Sequence, residues 1–245
     1  MSDISVLPDQ GQSTTFTYRV DYRPAFALAS LTLAAEQPIK AQAGAMVSMA
    51  GNVELASKME GGVWGAVKRS VGGRSAFVST YTAHGGPGEL TLAPAAPGDI
   101  APLSLTGEAY NIAASSYLAS DATLEVDTSW GGAKSFFASD SLFVLQVRGS
   151  GVQFVASFGA LHSRTLADGE RYLVDTGHLV AWHASMAYEI RKATRSLFRS
   201  LTSGEAFVAE FTGPGTLLLQ TRNLHAFADA LQPFLPKPAN TSGNT

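Results

Sequence analysis

No cysteine occurs anywhere in the 245 residues, which excludes disulfides and thiolate zinc sites and permits a reducing compartment. Charge is also scarce. Asp, Glu, Lys and Arg together make up 15% of the chain, against about 25% in an average soluble protein. Much of the surface must then be Ser, Thr, Gly and Ala, and a surface so weakly charged is expected to be partly covered by another subunit. The 17 basic and 20 acidic residues give a net charge of −3, whereas a dedicated nucleic-acid binder is usually strongly basic. Met1–Gln12 has no basic segment followed by an apolar core, so no secretory signal is expected, and no uncharged apolar run reaches the ~18 residues of a membrane span. These absences set the expectation of a cytoplasmic protein, with a peripheral membrane position as the alternative.

The sequence motifs of the commonest chemistries are missing too. There is no GxxxxGK[ST] phosphate loop, no GxGxxG, no HExxH and no GxSxG. Five histidines stand at 84, 162, 178, 183 and 225, with no His-x-His pair to place two imidazoles on one face of a strand. No catalytic residue, cofactor or metal ligand is therefore assigned.

What the chain does have is a pattern used three times. Phe77-Val78 is followed by a Gly-rich turn and Gly88-Glu89-Leu90. Phe143-Val144 leads in the same way to Gly151-Val152, and Phe207-Val208 to Gly215-Thr216-Leu217. The Phe-to-Phe steps are 66 and 64 residues and the Gly-to-Gly steps 63 and 64. A fixed period marks one supersecondary unit reused. Period-2 alternation makes each copy a hairpin, with Phe143, Leu145 and Val147, or Phe207, Ala209 and Phe211, facing inward. The turns Gly85-Gly86-Pro87-Gly88, Gly149-Ser150-Gly151 and Gly213-Pro214-Gly215 would close them. Upstream, each copy has a strand ending in apolar-Glu-apolar around Glu54, Glu125 and Glu189. The three glutamates are read as equivalent, solvent-facing positions of a half-buried strand.

The expected fold is all-β: a barrel or double-stranded β-helix-like domain of three pseudo-repeated units at about 41–93, 114–156 and 175–220, with short helical inserts. One domain spans 1–235, and residues 236–245 form a polar disordered tail.

Two groups of residues are functional candidates. The inserts carry Lys68 and Arg69, Lys134, and Arg191, Lys192, Arg195 and Arg199, beside Trp64, Phe136, Phe137 and Phe198. Gathered at one end of a pseudo-threefold fold, they would suit an anionic membrane surface or an acidic protein partner; the alternative is an apolar side capping the fold under a solvated basic side. The second candidate is a polar pocket near His162, Asp175 and His178, in which Asp175 orients the imidazole of His178 for acid–base work. Its alternative is an ordinary turn in which Asp175 accepts backbone N–H bonds.

Several short motifs occur in an order that resembles one family. They are Gly44-Ala45-Met46, Gly51-Asn52-Val53, Ala93-Pro94 with Pro97-Gly98-Asp99-Ile100, Asp175-Thr176-Gly177-His178, Gly213-Pro214-Gly215 and Gln220-Thr221-Arg222-Asn223. Together they resemble the "altered inheritance of mitochondria" family of mitochondrial biogenesis proteins, over roughly Phe26 to Leu235. The resemblance implies a fold similar to the tryptophan RNA-binding attenuation protein, and cytoplasmic bacterial members without an established activity. It also implies eukaryotic relatives linked to the organisation of the mitochondrial inner membrane. It brings no catalytic residues, and its glycines carry over as turn positions only. RNA binding by analogy of fold is weakened by the negative net charge.

The leading expectation is a non-enzymatic scaffold or binding module that assembles with itself, a trimer favoured over a dimer. The runner-up is a small-ligand binder or enzyme using the polar pocket. Two or more histidines and a carboxylate converging in one cavity would favour the runner-up.

Overall fold

The computed structural model describes residues 3–56, 78–127, 142–192 and 207–236. Nearly all of it is antiparallel β-structure. An N-terminal arm forms β1 (Ser5–Val6), β2 (Gln10–Gln12) and β3 (Phe16–Asp21). A first stretch forms β4 (Leu28–Leu33), β5 (Pro38–Gln42), β6 (Met46–Met49), β7 (Val53–Ala56), β8 (Val78–Ala83) and β9 (Gly88–Leu92). A second forms β10 (Ile100–Ala113), β11 (Tyr117–Asp121), β12 (Glu125–Asp127) and β13 (Val144–Ala156). A third forms β14 (Leu161–Leu166), β15 (Arg171–Asp175), β16 (Leu179–His183), β17 (Ala187–Lys192), β18 (Phe207–Thr212) and β19 (Gly215–Gln220). After β19 the described residues form one short α-helix, α1 (Leu224–Leu231).

The same four ladders occur in each stretch. In the first they are β4·β9, β5·β8, β6·β9 and β7·β8. In the third they are β14·β19, β15·β18, β16·β19 and β17·β18. In the second, β10 and β13 are each long enough to serve as two strands, with the register of β10 broken between Thr106 and Ala109. β11 and β12 add to the two halves of β13. A bulge falls at the same place in each: at Val47, Leu118 and Val180.

The strands on either side of the Gly-rich segments do not pair with each other, which corrects the hairpin reading. β8 pairs with β5 and β7, and β9 with β4 and β6. The glycines make corners at which the chain leaves one sheet for another. In the second stretch there is no break at all: residues 144–156 run as a single strand through Gly149 and Gly151. Gly151 has φ +152° and lies so close to Asp121 that an added Cβ would sit 2.8 Å from its Oδ2.

Three sheets result, of eleven, five and three strands, and among the described residues none closes on itself, so the barrel alternative is not met. Alternation is clean in β3, β4 and β5. It vanishes at both ends of β13, which is buried on both faces because it lies in the middle of the largest sheet. Phe207 and Phe211 are buried, whereas Phe143 is half-buried; Phe77 lies outside the described residues. The core divides into three clusters, and the clusters interlock. Leu118 and Ala119 of the second stretch pack into the first cluster, and Val180 and Ala181 of the third pack into the second.

Candidate functional site

Polar residues that sequence reasoning offered for chemistry are used by the fold. Asp175 and His178 do share one turn, because Asp175 caps a short 3-10 helix, Thr176–His178. The Asp175 carboxylate accepts a hydrogen bond from Gly177 N at 2.8 Å, and His178 Nδ1 lies 2.7 Å from the carbonyl oxygen of Gln220. His162 is exposed on β14 and is separated from His178 by β19, so the structure does not bring the two imidazoles into one cavity. His84 stands between Glu36 and Glu54, at 2.8 and 3.3 Å, on an exposed surface. His183 bonds Ser185, and His225 sits in α1. The backbone N–H of Gly85 and the His84 ring hold the Glu36 carboxyl below the usual range. A cavity of about 300 Å³ lies elsewhere, over β2, β3 and β4, and is lined by Gln10, Thr17, Arg19, Ser30 and Glu89 among others.

The basic candidates lie largely out of view. Lys68, Arg69, Lys134, Arg195 and Arg199 fall outside the described residues, as do Trp64, Phe136, Phe137 and Phe198. Lys192 ends β17, next to Arg191. Arg191 is already engaged by Glu189 and by the buried Glu210, at 2.8 Å from each, and Arg171 pairs with Glu210 from the other side. The three undescribed inserts leave from corresponding ladders, β7·β8, β12·β13 and β17·β18. Glu54, Glu125 and Glu189 are all exposed, but the registers align Glu54 and Glu125 with Ala187. Glu189 corresponds to Asp127 instead.

Two buried carboxylates were not singled out by sequence reasoning. Asp99 receives Arg23 Nε at 2.6 Å and Nη2 at 2.9 Å, and Arg23 also pairs with Asp9. Its neighbour Gly98 touches the Ser157 backbone so closely that a Cβ there would lie 1.7 Å from a carbonyl oxygen. Asp121 accepts from Ser13 Oγ at 2.8 Å, Thr15 Oγ1 at 2.6 Å and Val152 N at 2.7 Å. Both aspartates tie the N-terminal arm to the body. Their sequence signal was a lone Asp in an apolar strand border, which a solvated turn also gives. Gln220 works in the same way, bonding Phe158 N and the Gly177 carbonyl at 2.8 Å each, and Thr221 Oγ1 accepts from Ala160 N.

Several large apolar side chains are open on the surface. Met46, Val47, Met49 and Leu55 are exposed on β6 and β7, and Leu173 is exposed on β15. A second patch is α1 with the turn after it. Asn223 caps the helix by accepting from His225 N and Ala226 N. Leu224, Phe227 and Leu231 recur at helical spacing and stay exposed, as do Phe234 and Leu235. Only the edge-on contact of Phe227 with Phe158, centroids 5.4 Å apart, anchors that face among the described ring pairs. No helix of the described residues is long and apolar enough to cross a membrane, and they contain no group of three or more His, Asp or Glu able to hold a metal.

Comparison with known proteins agrees with the order of the motifs. A curated Streptococcus pyogenes serotype M6 protein, described as uncharacterized, is 32% identical over 232 residues, covering 91% of this chain and 92% of its own. An X-ray structure of a Streptococcus pyogenes protein superposes with a TM-score of 0.72 at 31% identity, covering 90% of this chain and all of that one. The model of the mitochondrial biogenesis AIM24 family matches residues 18–222, and the chain belongs to that family.

Proposed function

We propose that the protein is a non-enzymatic scaffold: three copies of one β unit, fused in a single chain, that assembles with further copies of itself. The observation that carries this reading is where the exposed apolar side chains fall. Two groups stand out, Met46, Val47 and Met49 on the edge strand β6 and Leu224, Phe227 and Leu231 on α1, beside others exposed at Val6, Tyr22, Phe26, Leu55 and Leu173; grouped exposure of this kind marks interaction surfaces. The polar candidates support the same reading from the other side. Asp175, His178, Asp99 and Asp121 all spend their hydrogen bonds on backbone or on neighbouring side chains. Sedimentation equilibrium at micromolar concentration tests it. A self-assembling scaffold sediments above the 25.6 kDa of one chain, and a chain that stays at 25.6 kDa rules the reading out.

A second role is favoured by α1. Leu224, Phe227, Leu231 and Phe234 present an apolar strip of the kind that lies in the headgroup region of a bilayer. The basic inserts around Lys68, Lys134 and Arg195 would add attraction to anionic lipid, about 1 kcal/mol for each cation held near the surface. In this reading the assembled scaffold docks peripherally on an anionic membrane.

A further inference from the structure

The three units of the chain are joined by one repeated ladder. The second strand of each unit pairs with the third strand of the next. Across the first joint, Ile39, Lys40 and Ala41 of β5 lie opposite Asp121, Ser120 and Ala119 of β11. Across the second, Tyr110, Asn111 and Ile112 of β10 lie opposite His183, Trp182 and Ala181 of β16. The two registers are the same once the units are aligned by their internal ladders. Ile39 and Tyr110 hold corresponding positions, as do Asp121 and His183.

This arrangement necessarily leaves two halves of a joint unused. Among the described residues no further unit covers the second strand of the third unit, β15, or the third strand of the first, β6. Among the described residues neither edge has a partner: β15 ladders only with β18, and β6 only with β9. The side chains report the vacancy. The bulge residues Leu118 and Val180 are 0% exposed, each sunk into the core of the unit before it. Val47, at the same bulge of β6, is 56% exposed.

We infer that β6 of one molecule adds to β15 of a second copy in the register already used twice inside the chain. Tyr172 then faces Ala50 of the neighbouring copy, Leu173 faces Met49 and Val174 faces Ser48. Leu173 and Met49, 42% and 41% exposed in the single chain, cover each other. Val47 enters the third core cluster beside Val174 and Phe211, as Leu118 and Val180 enter the first and second.

The chemistry of the β6 edge agrees. An edge strand left to solvent is usually blunted by charge or proline. β17 carries Glu189, Arg191 and Lys192, β12 carries Glu125 and Asp127, and β14 carries Arg164. β6 reads Met-Val-Ser-Met, with neither charge nor proline. One feature separates the open joint from the closed ones. Ser48 and Thr91, with oxygens 2.6 Å apart, stand where the closed joints have Ala119 beside Phe154 and Ala181 beside Leu218. The contact is heterologous, each molecule giving one β6 and one β15, so successive additions close a ring or extend a filament.

The inference rests on the self-assembly reading and sharpens it to one interface. The absence of native cysteine makes the test clean. Facing residues of an antiparallel ladder lie about 4.5–5.5 Å apart at Cα, within disulfide reach. A Leu173→Cys chain mixed with a Met49→Cys chain under mild oxidation is expected to give a covalent heterodimer at twice the chain mass. A Leu173→Cys chain mixed with Met46→Cys, three positions out of register, is expected to give at least ten-fold less. A second variant, Val47→Lys, is expected to lose assembly while keeping the β-type circular dichroism of the parent. Cross-linking of Leu173→Cys mainly to itself would overturn the head-to-tail pairing. So would the absence of a heterodimer when the wild type does assemble, and the scaffold reading would then survive with another interface. A monomeric wild type removes both.

Discussion

The Arg23 guanidinium grips the Asp99 carboxylate at two points, Nε to Oδ1 at 2.6 Å and Nη2 to Oδ2 at 2.9 Å. Asp99 sits at the start of β10, where its own N–H bonds the Gly159 carbonyl at 3.1 Å and the Ser157 carbonyl-side backbone closes on Gly98. One ion pair thus fastens the N-terminal arm to the segments that link all three units. The hydrogen bonds to Asp99 and Asp9 raise the Arg23 pKa further above its already high value, so the guanidinium stays charged at every working pH. Removing the cation leaves a carboxylate that is 4% exposed without its partner. Arg23→Ala is expected to cost about 2–4 kcal/mol in a urea melt, with Arg23→Lys intermediate because an ammonium cannot make the two-point contact. An Arg23→Ala melt that overlays the wild type would mean that Asp99 is solvated from another side.

Aromatic packing in the third unit gives the second expectation. Trp182, Tyr188 and Phe211 form a closed cluster with ring centroids 5.3–5.5 Å apart, and Phe211 is 0% exposed. Phe211→Ala should cost about 3–5 kcal/mol by cavity formation. Phe143 only leans against the second cluster from outside, so Phe143→Ala should cost about 1–2 kcal/mol, in proportion to the area it buries. Equal losses in guanidinium melts would contradict the unequal burial.

Gly98 and Gly86 separate close approach from mere turn position. Alanine at 98 would drive a Cβ into the Ser157 backbone, which cannot swing aside as a side chain can, whereas nothing lies within 4 Å of a Cβ at 86. Gly98→Ala is expected to lose at least about 3 kcal/mol, and Gly86→Ala less than about 1 kcal/mol. Thermal melts of the two variants side by side are sufficient to check this.

How much of this was legible in the chain depends on whether the signal was local. The three units show in the sequence because their corners need glycine at a fixed period. What those corners do does not show. An apolar strand, a Gly-rich segment and a second apolar strand read the same whether the strands fold back on each other or pass into different sheets, and β8 and β9 take the second course. The pattern apolar-Glu-apolar aligned Glu189 with Glu125, although the ladders place Glu189 two positions further on, opposite Glu210. Tyr188 stands where Val126 does, and a motif of three residues cannot resolve a slip of two. The cap at Asn223 and the spacing of Leu224, Phe227 and Leu231 are local signals of a helix, and no helix was expected there. The open edge could not be read at all. Val47, Leu118 and Val180 are alike in sequence, and they differ only in whether a preceding unit covers them.

Docking on lipid is checked by co-sedimentation with vesicles of anionic or neutral phospholipid at low and high salt. Arg191 is a poor site to mutate, since its loss would strip the buried Glu210 of one of its two arginine partners. Arg195→Glu with Arg199→Glu, and separately Phe227→Ser with Phe234→Ser, are the better pairs. Each pair is expected to reduce pelleting on anionic vesicles several-fold, with the arginine effect fading at high salt as screening shortens the reach of each charge. Equal pelleting of both pairs and the wild type would leave α1 and the inserts without a membrane role.

The claim that this chain is one link of a homo-assembly is tested most directly by light scattering on the wild type and Val47→Lys at the same micromolar concentration. The wild type should show an integral multiple of the 25.6 kDa chain mass, three being the expected number, and Val47→Lys should fall to a single chain. A wild type of 25.6 kDa would contradict it, and a variant that keeps the wild-type mass would contradict the β6 interface.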